Sequence, residues 1–167
     1  MTFTLRTRIA LVPFDRRLLE ARLTLGLITS DQMPAIAFEA LKTGCEGAAI
    51  RQLAVLENPT DSEVFDLCPR VYAEMQLQDI SDAVAALRVA AHIAQEALDH
   101  EDYFKPLHEL YWLWMKAGFS EDMEEAGTLY DDVAAAQLTG EPDDRIRVWV
   151  RERLEEVVQR AAEAESQ

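Results

Sequence analysis

The residues best placed to do chemistry are His92, Glu96 and His100, which recur four residues apart. On an α-helix that spacing brings the three side chains within about 80° of one another, on one face. Two imidazoles and a carboxylate so arranged could hold Zn²⁺ or another divalent metal. Asp99, Glu101 and Asp102 adjoin them, and His108 with Glu109 follows across the next junction. The Glu-x-x-His spacing of di-iron bundles is absent, because Val89, Ala97 and Lys105 stand three residues before the histidines. The same face carries Asp82 and Arg88, so a solvated polar face without a cofactor is the favoured reading, with a metal-binding protein or metal-dependent enzyme as the alternative.

No other constellation points to catalysis. Four of the five serines, Ser30, Ser62, Ser81 and Ser120, stand at or beside helix starts, where capping accounts for them, and Ser166 lies in the tail. No G-x-S-x-G, P-loop, G-x-G-x-x-G, H-E-x-x-H or C-x-x-C is present. Cys45 and Cys68 lie in apolar helical patterns, where a reduced thiol packs as a small hydrophobe. An enzyme could still be built from acids alone, but no residue pattern here points to one, and the reading leans away from catalysis.

The elements that must position these groups read as helices. Leu18, Leu19, Leu23 and Leu25 follow Asp15 and stop at Gly26. Thr29 with Gln32 and Thr60 with Glu63 are capping boxes, opening the second and fourth helices. A third covers 48–56. Pro69 falls inside the fourth and predicts a kink or break. The fifth, 81–99, should be the most buried, with Ile80, Val84, Leu87, Ala91, Ala94 and Leu98 inward and Ala83, Ala86, Ala90 and Ala97 widening that face. The sixth, 104–117, carries Leu107, Leu110, Tyr111 and Trp114. Ser120 should cap a seventh that is interrupted by Gly127. In the last helix Ile146, Trp149, Val150, Leu154, Val157 and Ala161 share a face, and Glu156 with Arg160 forms an i,i+4 pair.

The fold class is therefore all-α: a single-domain bundle or irregular array of about eight short helices over 15–163, with a tail at 164–167. Residues 1–14 differ. Phe3, Leu5, Ile9 and Leu11 alternate with more polar neighbours, as in a strand. The segment is an extended arm, an edge that pairs with another chain to make a homodimer, or the start of helix one. No run reaches the length of a membrane span, and a cytoplasmic protein is expected.

The 167 residues hold 31 Asp and Glu against 16 Lys and Arg, a formal charge of −15. That excess excludes general nucleic-acid binding, which needs surplus cations to neutralise phosphate. The charge is uneven. Residues 59–144 hold four basic against twenty acidic residues, a net of −16, whereas 145–167 balance five Arg against five Glu. The acids gather at helix junctions: Asp99, Glu101 and Asp102, then Glu121, Asp122, Glu124 and Glu125, then Asp131 and Asp132. Acids near helix N-termini suit the helix dipole, and solvated faces aid solubility. The sharper reading is a docking surface for a basic partner. Trp112 lies well round its helix from the core stripe, either buried by a neighbour or acting as an interface anchor among the acids.

Gly26-Leu27-Ile28-Thr29, Met33-Pro34, Ala40-Leu41 and Arg51-Gln52-Leu53-Ala54 resemble a packing pattern of small, uncharacterised bacterial all-α proteins, over residues 18–65. In style the chain is similar to acidic immunity proteins, which neutralise a toxin by covering its basic active site. That resemblance implies a basic protein partner such as a toxin, and it transfers no site residues.

Overall fold

The computed structural model describes residues 14–165, and among them it is all-helical. Eight α-helices follow one another: α1 Arg16–Thr24, α2 Met33–Lys42, α3 Ala48–Ala54, α4 Asp61–Glu74, α5 Asp82–Asp99, α6 Leu107–Lys116, α7 Glu124–Leu138 and α8 Asp143–Ala164. Single 3-10 turns, Ser30–Gln32 and Glu121–Met123, lead into α2 and α7. The alternating segment expected to form an arm or a dimer edge lies, up to residue 13, outside the described residues, as do Ser166 and Gln167 of the tail.

Local chemistry sets most helix starts. The Asp15 carboxylate accepts from the Leu18 N–H at 3.1 Å and so caps α1. Both capping boxes form: the Gln32 side chain reaches back to the Thr29 N–H at 3.0 Å, and Glu63 to the Thr60 N–H at 2.8 Å. Ser81 accepts from the Val84 N–H at 3.3 Å and opens α5. Ser120 does not cap in the expected way. Its side chain makes no cap bond, and its carbonyl instead starts the 3-10 turn that precedes α7. Pro69 does not break α4, which runs through it from Asp61 to Glu74.

The helices fall into two compact units. The first comprises described residues 14–19 together with Ile28–Leu77. In it α2 packs on α3 and α3 on α4, burying Met33, Ala37, Ala40, Ile50, Leu53, Val64, Leu67 and Val71. Glu74, at the end of α4, accepts from the backbone N–H groups of Ala49 (3.1 Å) and Ile50 (2.9 Å), satisfying the open N-terminus of α3. A Cβ at Gly47 would overlap the Glu74 carboxylate, so only glycine leaves room for this cap.

The second unit comprises Glu20–Leu27 and residues 78–165. Its centre is α5, which packs on α6 and, across a long separation in sequence, on α8. The buried face of α5 is Ala85, Ala86, Leu87, Val89, Ala90, Ala94 and Ala97, whereas Val84 is exposed. The inward face is thus turned from the stripe read off the larger side chains: small residues allow the closest helix approach, and the neighbours settle on them. In α8 Ile146, Val150, Leu154, Val157 and Ala161 are buried as their spacing predicts, and Trp149 is half-buried. Fully burying each such branched side chain stabilises by about 1.5–3 kcal/mol relative to exposure.

Candidate protein-interaction surface

The second unit holds nine Lys and Arg against 22 Asp and Glu, a net of −13, and so carries most of the chain's charge. Part of that excess is compensated within the unit by arginines of α8. Arg160 donates to the Asp122 carbonyl at 3.1 Å and lies 3.4 Å from a Glu125 carboxylate oxygen. Arg153 lies 3.5 Å from the same oxygen and donates to Glu156 at 2.7 Å. The Arg153 hydrogen bond holds the Glu156 carboxyl below the usual carboxylate range, and Glu156 in turn raises Arg153. The expected pairing of Glu156 with Arg160 is replaced by this arrangement, because Arg160 turns to α7.

Seven residues separate Glu125 from Asp132, and seven separate Arg153 from Arg160, so each pair occupies one helix face. The 125/132 face of α7 is the one that meets the α8 arginines, with Asp132 adding to the field at Arg153. Glu124 and Asp131 share a different face, about 100° round the helix. Glu121, Asp122, Glu124, Asp131 and Asp132 are exposed.

At the junction of α5 and α6, Glu101 adopts a left-handed conformation (φ +54°) and ends α5. Its carbonyl accepts from Arg147 of α8 at 3.1 Å, and the same guanidinium stacks over the rings of Tyr103 (5.2 Å) and Phe104 (5.8 Å). Asp99 accepts from Gln95 at 2.8 Å, and Asp102 is exposed. Trp112 is half-buried, and Lys116 sits 5.0 Å above its ring while donating to the Leu25 carbonyl at 3.2 Å.

The proposed metal ligands do not converge. His100 places Nδ1 2.7 Å from the backbone carbonyl of Glu96, and His92 Nε2 lies 3.4 Å from the Glu96 carboxylate. Among the described residues no group of three or more His, Cys, Asp or Glu side chains is arranged to hold a metal ion. The helical face exists, but hydrogen bonding along the helix turns His100 onto the backbone. Nearby, burial raises the Glu109 carboxyl above its ordinary range and Glu96 adds to the rise, while Arg22 and Lys105 oppose it.

A ribbon of rings links α6 and α7. His108 meets Tyr130 at 5.6 Å, Tyr130 meets Tyr111 at 6.3 Å, Tyr111 meets Trp114 at 6.3 Å, and Trp114 meets Phe119 at 5.0 Å and 89°. Gly127 makes the close approach of α6 and α7 possible, since a Cβ there would overlap the Trp114 indole. The indole N–H donates to the Ser120 carbonyl at 3.2 Å. The sequence places Arg160 only in a pair with Glu156, and it singles out neither Arg147 and Arg153 nor the ring contacts of Tyr130. The matching seven-residue spacings in α7 and α8 were the available signal for Arg153 and Arg160.

No protein-family model, curated protein or solved structure matches the chain. No helix among the described residues is long and apolar enough to cross a membrane.

Proposed function

We propose that this chain is a protein-interaction module whose second unit offers an acidic surface to a basic protein, in the manner of an immunity or inhibitor protein covering a basic active site. The observation that carries this reading is the net −13 of that unit, which remains after the α8 arginines are counted. Exposed acids at Asp99, Glu101, Asp102, Glu121, Asp122, Glu124, Asp131 and Asp132 supply the contact groups. Complementary charge of this kind accelerates encounter and rejects acidic competitors more than it adds affinity. The reading takes the protein as cytoplasmic, with free thiols at Cys45 and Cys68 in keeping with a reducing compartment.

The test compares the full chain with a variant carrying Glu121→Gln, Glu124→Gln, Asp131→Asn and Asp132→Asn. Each is immobilised and offered native extract at low salt and at about 0.5 M NaCl, where screening is within a few ångströms. Support is a basic protein retained by the unaltered chain, released by salt, lost from the variant and found in a stoichiometric complex by light scattering. Identical retention by both chains, or no basic protein retained by either, removes the reading.

A further inference from the structure

The acidic surface and the aromatic ribbon meet along one edge of α7, and together they describe a more specific ligand than charge alone. Tyr130 is 44% exposed and Phe119 58%, unusual for rings that also belong to a packed cluster. Gly118 and Phe119 are both left-handed (φ +65° and +59°), and this double turn brings the Phe119 ring edge-on to Trp114. Gly127, on which Trp114 rests, lies between Tyr130 and the Glu124/Asp131 face in the angular order of the helix. Trp114, seated on Gly127, is therefore flanked on α7 by Tyr130 on one side and by the Glu124/Asp131 face on the other, and those carboxylates are on the face of α7 other than the 125/132 face that meets α8.

The molecule already contains one example of what such a surface takes. At the α5–α6 junction Arg147 lays its guanidinium over two rings while donating to a carbonyl oxygen. Arginine suits this better than lysine, because its planar group stacks on a ring and still directs N–H groups sideways to oxygen acceptors. In the second unit the cation–ring contacts fall on Tyr103, Phe104 and Trp112. Tyr130 and Phe119 offer the same ring chemistry with exposed surface, at either end of the ring path that runs through Trp114.

We infer that Phe119, Trp114 and Tyr130, edged by Glu124 and Asp131, form a docking strip for an arginine-bearing segment of a basic protein partner. This rests on the interaction reading above and adds to it the place of contact and the side chain that is read. Guanidinium groups stack on the exposed rings and donate to the two carboxylates, while the rest of the acidic unit steers the segment inward.

The experiment uses the full chain, isotopically labelled, titrated at low salt with a short peptide alternating Arg and Ala and with its Lys counterpart. The expected result is amide and indole shifts at Trp114, Phe119, Glu124, Tyr130 and Asp131, with the Arg peptide bound more tightly. Phe119→Ala and Tyr130→Ala should each weaken the Arg peptide about threefold to fivefold and the Lys peptide less. Asp131→Asn, which leaves the rings intact, should weaken both peptides and reduce the salt dependence. Shifts that map instead to 99–102 or 141–144, or ring variants that bind as the unaltered chain does, overturn the strip while leaving acidic recognition standing. Concentration-dependent shifts at the strip without peptide would assign it to a second copy of this chain and overturn it too. No binding of either peptide at low salt removes both the strip and the interaction reading.

Discussion

Arg88 of α5 donates to Glu20 of α1 at 3.0 Å, and Glu20 is the one buried charged residue among the described residues, with 5% of its surface exposed. The other carboxylate oxygen of Glu20 accepts from the Gln78 N–H at 3.0 Å, and the Arg88 Nε lies 3.4 Å from Glu165 just beyond α8. Through two ion pairs Arg88 thus joins the start, the middle and the end of the second unit. A buried carboxylate is tolerated only when charge and hydrogen bonds replace the lost water, and here both do.

Arg88→Met should therefore cost about 3 kcal/mol, because it takes the Arg88 guanidinium away from a buried carboxylate. The double variant Glu20→Met, Arg88→Met should cost less than Arg88→Met alone. Urea midpoints at unchanged slope measure both. A double variant less stable than either single would show that the pair itself, and not the stranded charge, dominates.

Gly127→Ala should destabilise despite the better helix propensity of alanine. Replacing a helical glycine gains about 1 kcal/mol, but overpacking a closed site costs about 1–3 kcal/mol, and here the added methyl would meet the Trp114 indole. Loss of near-ultraviolet circular dichroism from the displaced indole should accompany the lower melting point. A stabilised protein with an unchanged aromatic spectrum would contradict the packing described.

Glu74 links the stability of the first unit to pH. Hydrogen bonds from the Ile50 and Ala49 N–H groups hold its carboxyl below the ordinary value of 4.5. A depressed folded-state pKa contributes stability above the unfolded value that is lost as pH falls through the folded one. Glu74→Gln should be less stable than the unaltered chain at neutral pH, and the gap should close as pH falls below 4.5. Glu63, held low by the Thr60 N–H and hydroxyl, acts in the same direction in both proteins, so the difference between their urea midpoints isolates Glu74. A gap independent of pH would refute the role of the charge.

Glu109 has the opposite sign. Burial raises its carboxyl above 4.5, so the folded protein holds that proton more tightly than the unfolded chain does. Stability is then lost as pH rises from the unfolded value through the raised folded value. Glu109→Gln should raise the urea midpoint at neutral pH and leave it nearly unchanged at about pH 3, where the carboxyl is protonated in either state. An equal shift at both pH values would point to packing instead of ionisation.

The features legible in the sequence are those whose partners lie within one helical turn. Thr29 and Gln32, or Thr60 and Glu63, are three residues apart, so the residue types alone specify the bonds. The period of Ile146, Val150, Leu154, Val157 and Ala161 likewise defines a buried stripe wherever α8 packs. The all-helical class follows from such local rules, since caps, breakers and spacing act before any tertiary contact is made. The acidic character of the region holding the candidate surface is legible for the same reason, being a property of residue counts.

Tertiary structure decided what each face meets. In alanine-rich α5 several stripes have similar hydrophobicity, and packing against α6 and α8 chose the one with the smallest side chains. Glu20 and Arg88 are 68 residues apart, Glu74 and Ile50 24, and Arg160 and Asp122 38. Such pairings depend on which helices become neighbours, and a single chain's composition and periodicity do not encode that choice locally. The same holds for the acidic surface. Its total charge and the separate faces of Glu125 and Glu124 are written in the sequence, but only the placement of α8 determined that Glu125 meets Arg153 and Arg160. A charge count is additive along the chain, whereas the identity of each charge's partner is set by distances that exist only once the chain has folded.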